Sequence, residues 1–154
     1  MSFSDEIIQI LASFCGSLGF GFLFNIRGKK LLFAALGGLL SWLLFLVLGL
    51  SPASEAVRYF LVAAALTLYS EIMARVLKTP TTTFCIVSLI PMVPGSALYY
   101  SMAAAINSDL TDFIDRAYYT LELTIALSLG IVLVTGCVKY INAFIKRKSD
   151  RQKA

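Results

Sequence analysis

Apolar residues run through this chain in long blocks rather than on alternating faces. A hydrocarbon core about 30 Å thick needs roughly 20 residues of helix to cross it. Five stretches qualify: Ile7 to Ile26, Leu31 to Leu50, Tyr59 to Leu77, Phe84 to Ile106, and Ala117 to about Ile141. The second is free of charge, the third carries Glu71 and Arg75, the fourth is interrupted by Pro91 and Pro94, and the fifth carries Glu122. The connections are short, and Pro52 and Pro80 stop the helices before them. Short loops force each helix to run antiparallel to its neighbour. The pattern predicts an all-α polytopic membrane bundle of five transmembrane helices. It forms one integral membrane domain over residues 1–154, ending in a basic tail at 142–154.

Composition agrees: 58% of the 154 residues are hydrophobic and 14% charged, against about 25% charged in an ordinary soluble domain. The chain has no histidine, which excludes a histidine base and mixed Cys/His metal sites. Cys15, Cys85 and Cys137 lie in or beside apolar runs with no close spacing, so they read as small apolar side chains and no metal site or cofactor is expected. The net charge of +4 does not imply nucleic-acid binding. Its source is a basic tail (Lys139, Lys146, Arg147, Lys148, Arg151 and Lys153) that follows an apolar segment as cytoplasmic flanks do.

The first span has Asp5 and Glu6 before it and its basic cluster after it, the reverse of a cleaved signal peptide. It is expected to be retained, with Ser4 as its helix cap. In the five-span scheme, eleven of the thirteen Lys and Arg residues fall on one side, and only Arg58 and Arg116 on the other. The positive-inside rule then puts the N-terminus outside and the C-terminus in the cytoplasm.

Small residues recur at helical spacing: Ser13, Ser17 and Gly21 on the first span, Ala34 and Gly38 with Gly37 and Ser41 on the second, and Ala97, Ser101 and Ala105 on the fourth. Such stripes let membrane helices pack closely and alone say nothing of a substrate. Trp42, in mid-span, is expected to face a neighbouring helix. Glu71 and Arg75, four residues apart, share a helix face and can pair. They read either as an ion pair near the interface or as a proton-coupling or gating element, since ionisable groups within a span usually face a cavity. Tyr118 stands one turn before Glu122 and could bond to it.

The sharpest feature is Pro91-Met92-Val93-Pro94-Gly95. Two prolines remove two backbone donors, and glycine permits unusual dihedrals. The span 84–106 is centred on Gly95, so the break is expected at mid-depth, where open backbone is tolerated only inside protein or beside a watery cavity. The second half-helix would begin at Pro94 or Gly95, leaving the N–H groups of Gly95, Ser96 and Ala97 to hold a carboxylate without help from Arg or Lys. Broken helices of this kind form midplane sites in transporters. Pro91, Pro94, Gly95, Ser96 and Tyr99 are therefore the candidate substrate-binding residues.

Tyr69-Ser70-Glu71-Ile72-Met73-Ala74-Arg75, Lys78-Thr79-Pro80, Ile90 to Gly95 and Tyr99 resemble the threonine/serine exporter family, as does the stretch from Gly19-Phe20-Gly21 to Phe24-Asn25. The closest resemblance is to the short membrane subunit of its split, two-gene members. The resemblance implies a multi-pass protein of the bacterial inner membrane that exports small amino acids or related carboxylates on the proton gradient. It also implies a second, larger membrane subunit as partner. Asn25 joins Glu71 and Arg75 as a candidate gating residue. A homo-oligomer is the other assembly considered. The rival reading is a structural or channel-forming subunit with no substrate site of its own. An enzyme is not expected, because no nucleophile–base pair or metal cluster is evident.

Overall fold

The computed structural model describes residues 3–107 and 109–153, with side chains over 4–107 and 109–144. Among the described residues six helices form: α1 (Phe3–Leu23), α2 (Lys29–Leu48), α3 (Glu55–Val76), α4 (Thr81–Leu89), α5 (Gly95–Ile106) and α6 (Leu110–Lys153), with a 3-10 turn at Ile90–Met92 between α4 and α5. Four of these are long and apolar enough to cross a membrane. The pair Thr81–Met92 and Gly95–Ile106, bent by 56°, makes a fifth if it counts as one span. The helix boundaries differ from the sequence expectation at both ends of the chain. Ser4 lies inside the first turn of α1, and α6 starts at Leu110 and continues through the tail to Lys153.

Helix α2 packs against α1, α3 and α4, and its small residues are what allow it. Ala34, Ala35, Gly37, Gly38 and Ser41 are buried. A methyl group built on Gly38 would strike the Ser17 hydroxyl, and one on Gly37 the Ser88 hydroxyl. Trp42 donates to Gln9 Oε1 on α1 at 3.2 Å, so it faces a neighbouring helix as expected. The apolar core falls into two groups. One joins Tyr59, Val62, Ala63, Leu66, Leu89, Met92 and Leu123; the other joins Ile26, Leu31, Ala34, Ala74, Phe84 and Val87. Apolar side chains such as Phe22, Leu50, Val76 and Ile106 are exposed instead, as they should be where lipid surrounds the bundle.

Helices α3 and α6 run in the same direction. Tyr119 bonds to Glu55, Gly130 meets Phe60, Ala63 and Ala64, and Arg75 bonds to Asn142. This places Glu55, Gly49 and Arg58 at one end of the bundle, here the acidic end. Arg27, Lys30 and Thr79 gather at the other, the basic end. Two helices finish at the basic end in the same way. Asn25 takes φ 56°, and the N–H groups of Asn25 and Ile26 donate to Phe22 and Gly21 at 2.9 and 3.0 Å. Lys78 takes φ 48°, and Thr79 N–H donates to the Ala74 carbonyl at 3.0 Å. Both are left-handed C-terminal caps, a conformation that asparagine tolerates better than most residues.

A Cβ on Gly130 would lie 2.6 Å from the Phe60 carbonyl oxygen and 3.0 Å from the Ala64 nitrogen, and backbone cannot move aside as a side chain can. Gly130→Val should therefore destabilise the bundle by about 1–3 kcal/mol, the usual cost of overpacking, read as a lower thermal midpoint in detergent. Gly136 has open space around it, so Gly136→Ala should leave the midpoint unchanged or raise it.

Candidate functional site

The break is built by its prolines and closed locally by short-range bonds. Val93 N–H donates to Ile90 at 3.1 Å, Gly95 N–H to Val93 at 2.6 Å, and Leu98 N–H to Pro94 at 3.0 Å. Pro94 is the residue before α5, with φ −74° and ψ 58°, and no side chain caps the helix. The amide of Gly95 is thus occupied, and those of Ser96 and Ala97 are the free ones. Ser96 and Ala97 line a cavity of about 150 Å³ with Tyr100, Arg116 and Tyr119. Arg116 binds Asp112 Oδ2 through Nε at 2.7 Å, which leaves its terminal nitrogens for another anion, and its guanidinium lies 5.6 Å above the Tyr100 ring. The helix start that was expected to act without a cation therefore has one beside it. Such a site can hold a small carboxylate by charge and by two backbone donors.

Two expectations about the break change. Met92 is buried against the first turns of α3 with Tyr59 and Val62, so the break lies toward the acidic end rather than at mid-depth. Centring it assumed that both halves of the fourth span run in line. The 56° bend instead sends α5 along α6, and α6 begins nine residues before Tyr119, about 13 Å beyond the start of α3. The second change is exposure. Pro91 and Pro94 are half-buried, but Gly95, Ser96 and Tyr99 are exposed on this single chain. Tyr99 is 67% exposed, packs edge-on against Tyr100 at 5.4 Å, and does not line the cavity.

Glu71 and Arg75 line a separate cavity of about 190 Å³ between α3 and α6, with Leu68, Ile72, Val138, Ile141 and Asn142. Arg75 donates not to Glu71 but to Asn142 Oδ1 at 3.0 Å. Asn25 stands elsewhere again. Its Oδ1 accepts from Arg27 Nε at 3.0 Å, and it lines a cavity of about 590 Å³ at the basic end with Arg27, Lys30, Thr79 and Thr83. The candidate residues therefore occupy three places, not one. Near Glu122, the engaged tyrosine is Tyr119, on Glu55, and Tyr118 is exposed. Sequence reasoning missed Arg116, Tyr100 and Tyr119. Arg116 was marked only as one of two cations on the acidic side.

Among the described residues, no group of three or more His, Cys, Asp or Glu side chains could hold a metal ion. Residues 9–136, from the second turn of α1 to the middle of α6, match the family described as threonine/serine exporter, ThrE. The chain belongs to that family. No curated protein and no solved structure matches it. Membership of the exporter family accords with the helix packing and the bent span that dominate the chain: this member is a membrane protein.

Because Arg75 is held by Asn142, double-mutant cycles should separate its partners. Arg75→Gln with Asn142→Ala should show coupling of about 0.5–1.5 kcal/mol. Arg75→Gln with Glu71→Gln should show less than about 0.5 kcal/mol, the usual worth of an exposed i, i+4 pair. Denaturation midpoints in detergent measure both.

Proposed function

We propose that the exporter-family chain is the membrane subunit of a secondary transporter that exports small amino acids, threonine or serine, or related small carboxylates. The observation that carries this reading is the start of α5: Ser96 and Ala97, the residues with free amides, line one cavity with Arg116 at a break in a membrane span. Pro91, Pro94 and Gly95 keep the chain unwound there, and Ser96 adds a hydroxyl. Tyr99, exposed beside Tyr100, would close the site from a partner's side. The proton-motive force drives export in this reading, with Glu71 and Arg75 as the coupling or gating pair and Asn25 governing the basic end through Arg27.

A second, larger membrane subunit completes the assembly. Support comes from the exposed break residues, and from the apolar face that Leu98, Met102 and Ile106 of α5 leave uncovered. Self-association of the chain is compatible with the same surface. In this reading the membrane is a bacterial inner membrane, and the charge distribution favours an N-terminus outside and a C-terminus in the cytoplasm. A structural or channel-forming role without a substrate site is the second reading, and the outward exposure of Ser96 and Tyr99 on the single chain is what favours it.

Replacing Pro91 and Pro94 together with Ala should let the helix run through and restore both missing donors. The variant should insert normally, yet export of threonine per assembled complex should fall by about tenfold or more, since each 1.4 kcal/mol of lost binding is one such factor. Arg116→Gln should weaken apparent substrate affinity severalfold with insertion unchanged. Wild-type export by the double proline variant would reduce the break to a kink and favour the structural reading. Tags on the two termini should be accessible from opposite faces of the membrane.

A further inference from the structure

The basic end of the bundle holds a cavity whose charge no carboxylate answers. Asn25, Arg27 and Lys30 line it from the loop between α1 and α2 and the start of α2, and Thr79 and Thr83 from the side of α4. Its volume of about 590 Å³ is in the range of small-molecule sites. The left-handed caps at Asn25 and Lys78 fix the two loops that carry these residues. Arg27 is held through Nε on Asn25 Oδ1 at 3.0 Å, which leaves its terminal nitrogens for an anion. Lys30 is partly buried, and among the described residues neither it nor Arg27 is paired with a carboxylate. Thr79 Oγ1 donates to the Leu77 carbonyl at 2.9 Å, whereas Thr83 Oγ1 keeps its proton for another acceptor. Lys29 and Lys30 also stand in the first turn of α2 with no acid beside them, where the helix dipole disfavours cations. Local choices that cost stability without a visible return mark functional places.

A second cavity, of about 200 Å³, adjoins the first. It lies between Phe24 and Ile26, just beyond α1, and Thr82, Thr83 and Ile86 of α4. The two share Phe24, Ile26 and Thr83. Phe24 and Ile86 are 53% and 51% exposed, so this smaller groove is apolar and opens on the flank of the bundle that lipid surrounds. The larger cavity lies at the helix ends, at the depth of the headgroups. A cationic pocket and an apolar groove thus meet at the level where a lipid changes from headgroup to chain.

We propose that the two cavities together bind one anionic phospholipid of the leaflet at the basic end. Its phosphate lies between Arg27 and Lys30 with the Thr83 hydroxyl donating to it, and one acyl chain lies along Phe24 and Ile86. Basic pockets between membrane helices hold anionic headgroups in this way. A free amino acid fits less well. Its ammonium group would face two cations with no Asp or Glu lining the cavity to receive it, and it leaves the apolar groove unused. An ethanolamine headgroup brings the same ammonium, so the site selects a lipid of net negative charge, such as phosphatidylglycerol. The site is at the opposite end of the bundle from the α5 break and does not depend on export.

The test uses the purified full chain in a neutral detergent. Dioctanoyl phosphatidylglycerol should raise the thermal midpoint saturably, and native mass spectrometry should show one lipid retained per chain. Dioctanoyl phosphatidylcholine at the same concentration should do neither. Arg27→Gln with Lys30→Gln should raise the half-saturating phosphatidylglycerol concentration about tenfold or more, the combined worth of two cations at a headgroup. Lys29→Gln with Lys78→Gln removes the same charge from residues that do not line the cavity, and should change that concentration by less than about twofold, because screening weakens charges that make no contact. Equal weakening by the two pairs would reduce the effect to general surface charge and overturn the site. An equal shift from phosphatidylcholine would overturn the selection for negative charge. Glycerophosphoglycerol or inorganic phosphate acting as strongly as the lipid would overturn the role of the groove, and displacement of the retained lipid by L-threonine would assign the cavity to solute instead. Should the double variant not fold, Lys30→Gln against Lys29→Gln makes the same comparison, and equal half-saturating concentrations would overturn the proposal.

Discussion

The bundle depends on how closely α2 approaches its neighbours. Apolar side chains do not by themselves drive membrane helices together, because lipid tails are as apolar as leucine. What favours association is dense contact, and the Gly37–Gly38 step admits it on two sides at once, against Ser88 and Ser17. Gly130 does the same for α6, whose backbone comes up against Phe60 and Ala64 of α3. The rest follows from these contacts. Helices α1, α3 and α4 are placed around α2, and α6 is placed by α3, while α5 packs mainly on α6 and remains the least supported segment.

That reliance on one neighbour matters because α5 begins at the break. A membrane protein cannot leave backbone groups unpaired in lipid, and the prolines force the issue by removing two donors and opening the ladder. Local bonds at Val93, Gly95 and Leu98 settle part of it. The remainder, at Ser96 and Ala97, coincides with the cavity that holds Arg116. The helix start and the guanidinium are thus two positive features in one small space, and Asp112 answers only part of that charge.

Much of this was legible because bilayer thickness fixes helix length. The apolar blocks mark α1, α2 and α3 to within a few residues, and Pro91, Pro94 and Gly95 mark the bend. The stripe of Ser13, Ser17 and Gly21 proved to lie against α2, with Ser13 and Ser17 at Gly38 and Gly21 at Leu31, whereas Gly37 of the other second-span stripe meets Ser88 of α4. The depth of the break was not legible, since hydropathy cannot tell a straight span from one bent by 56° whose second half follows another helix. The start of α6 was missed for a related reason: Asp109, Asp112, Asp115 and Arg116 read as a polar loop, whereas Asp109 accepts from the Asp112 N–H at 3.1 Å and Asp112 pairs with Arg116 one turn on. Arg75 was paired with Glu71 by helical spacing, which sees neighbours within a helix but not Asn142 across to α6.

The two ends of the bundle and its middle present different chemistry to a small anion. Arg27 and Lys30 stand at the basic end, with Thr79 and Thr83 beside them. Arg116 stands at the break near the acidic end, with the α5 amides. Between them, the contact of α1 and α4 with α2 carries uncharged hydroxyls and glycines. The cations at the two ends attract anions with a force that water and salt screen. A charge in the middle, shielded from water, would hold a carboxylate far more strongly. Ser17 and Ser88 place only uncharged hydroxyls there, and the absence of Cβ atoms on Gly37 and Gly38 is what lets α1 and α4 close on α2 at that step.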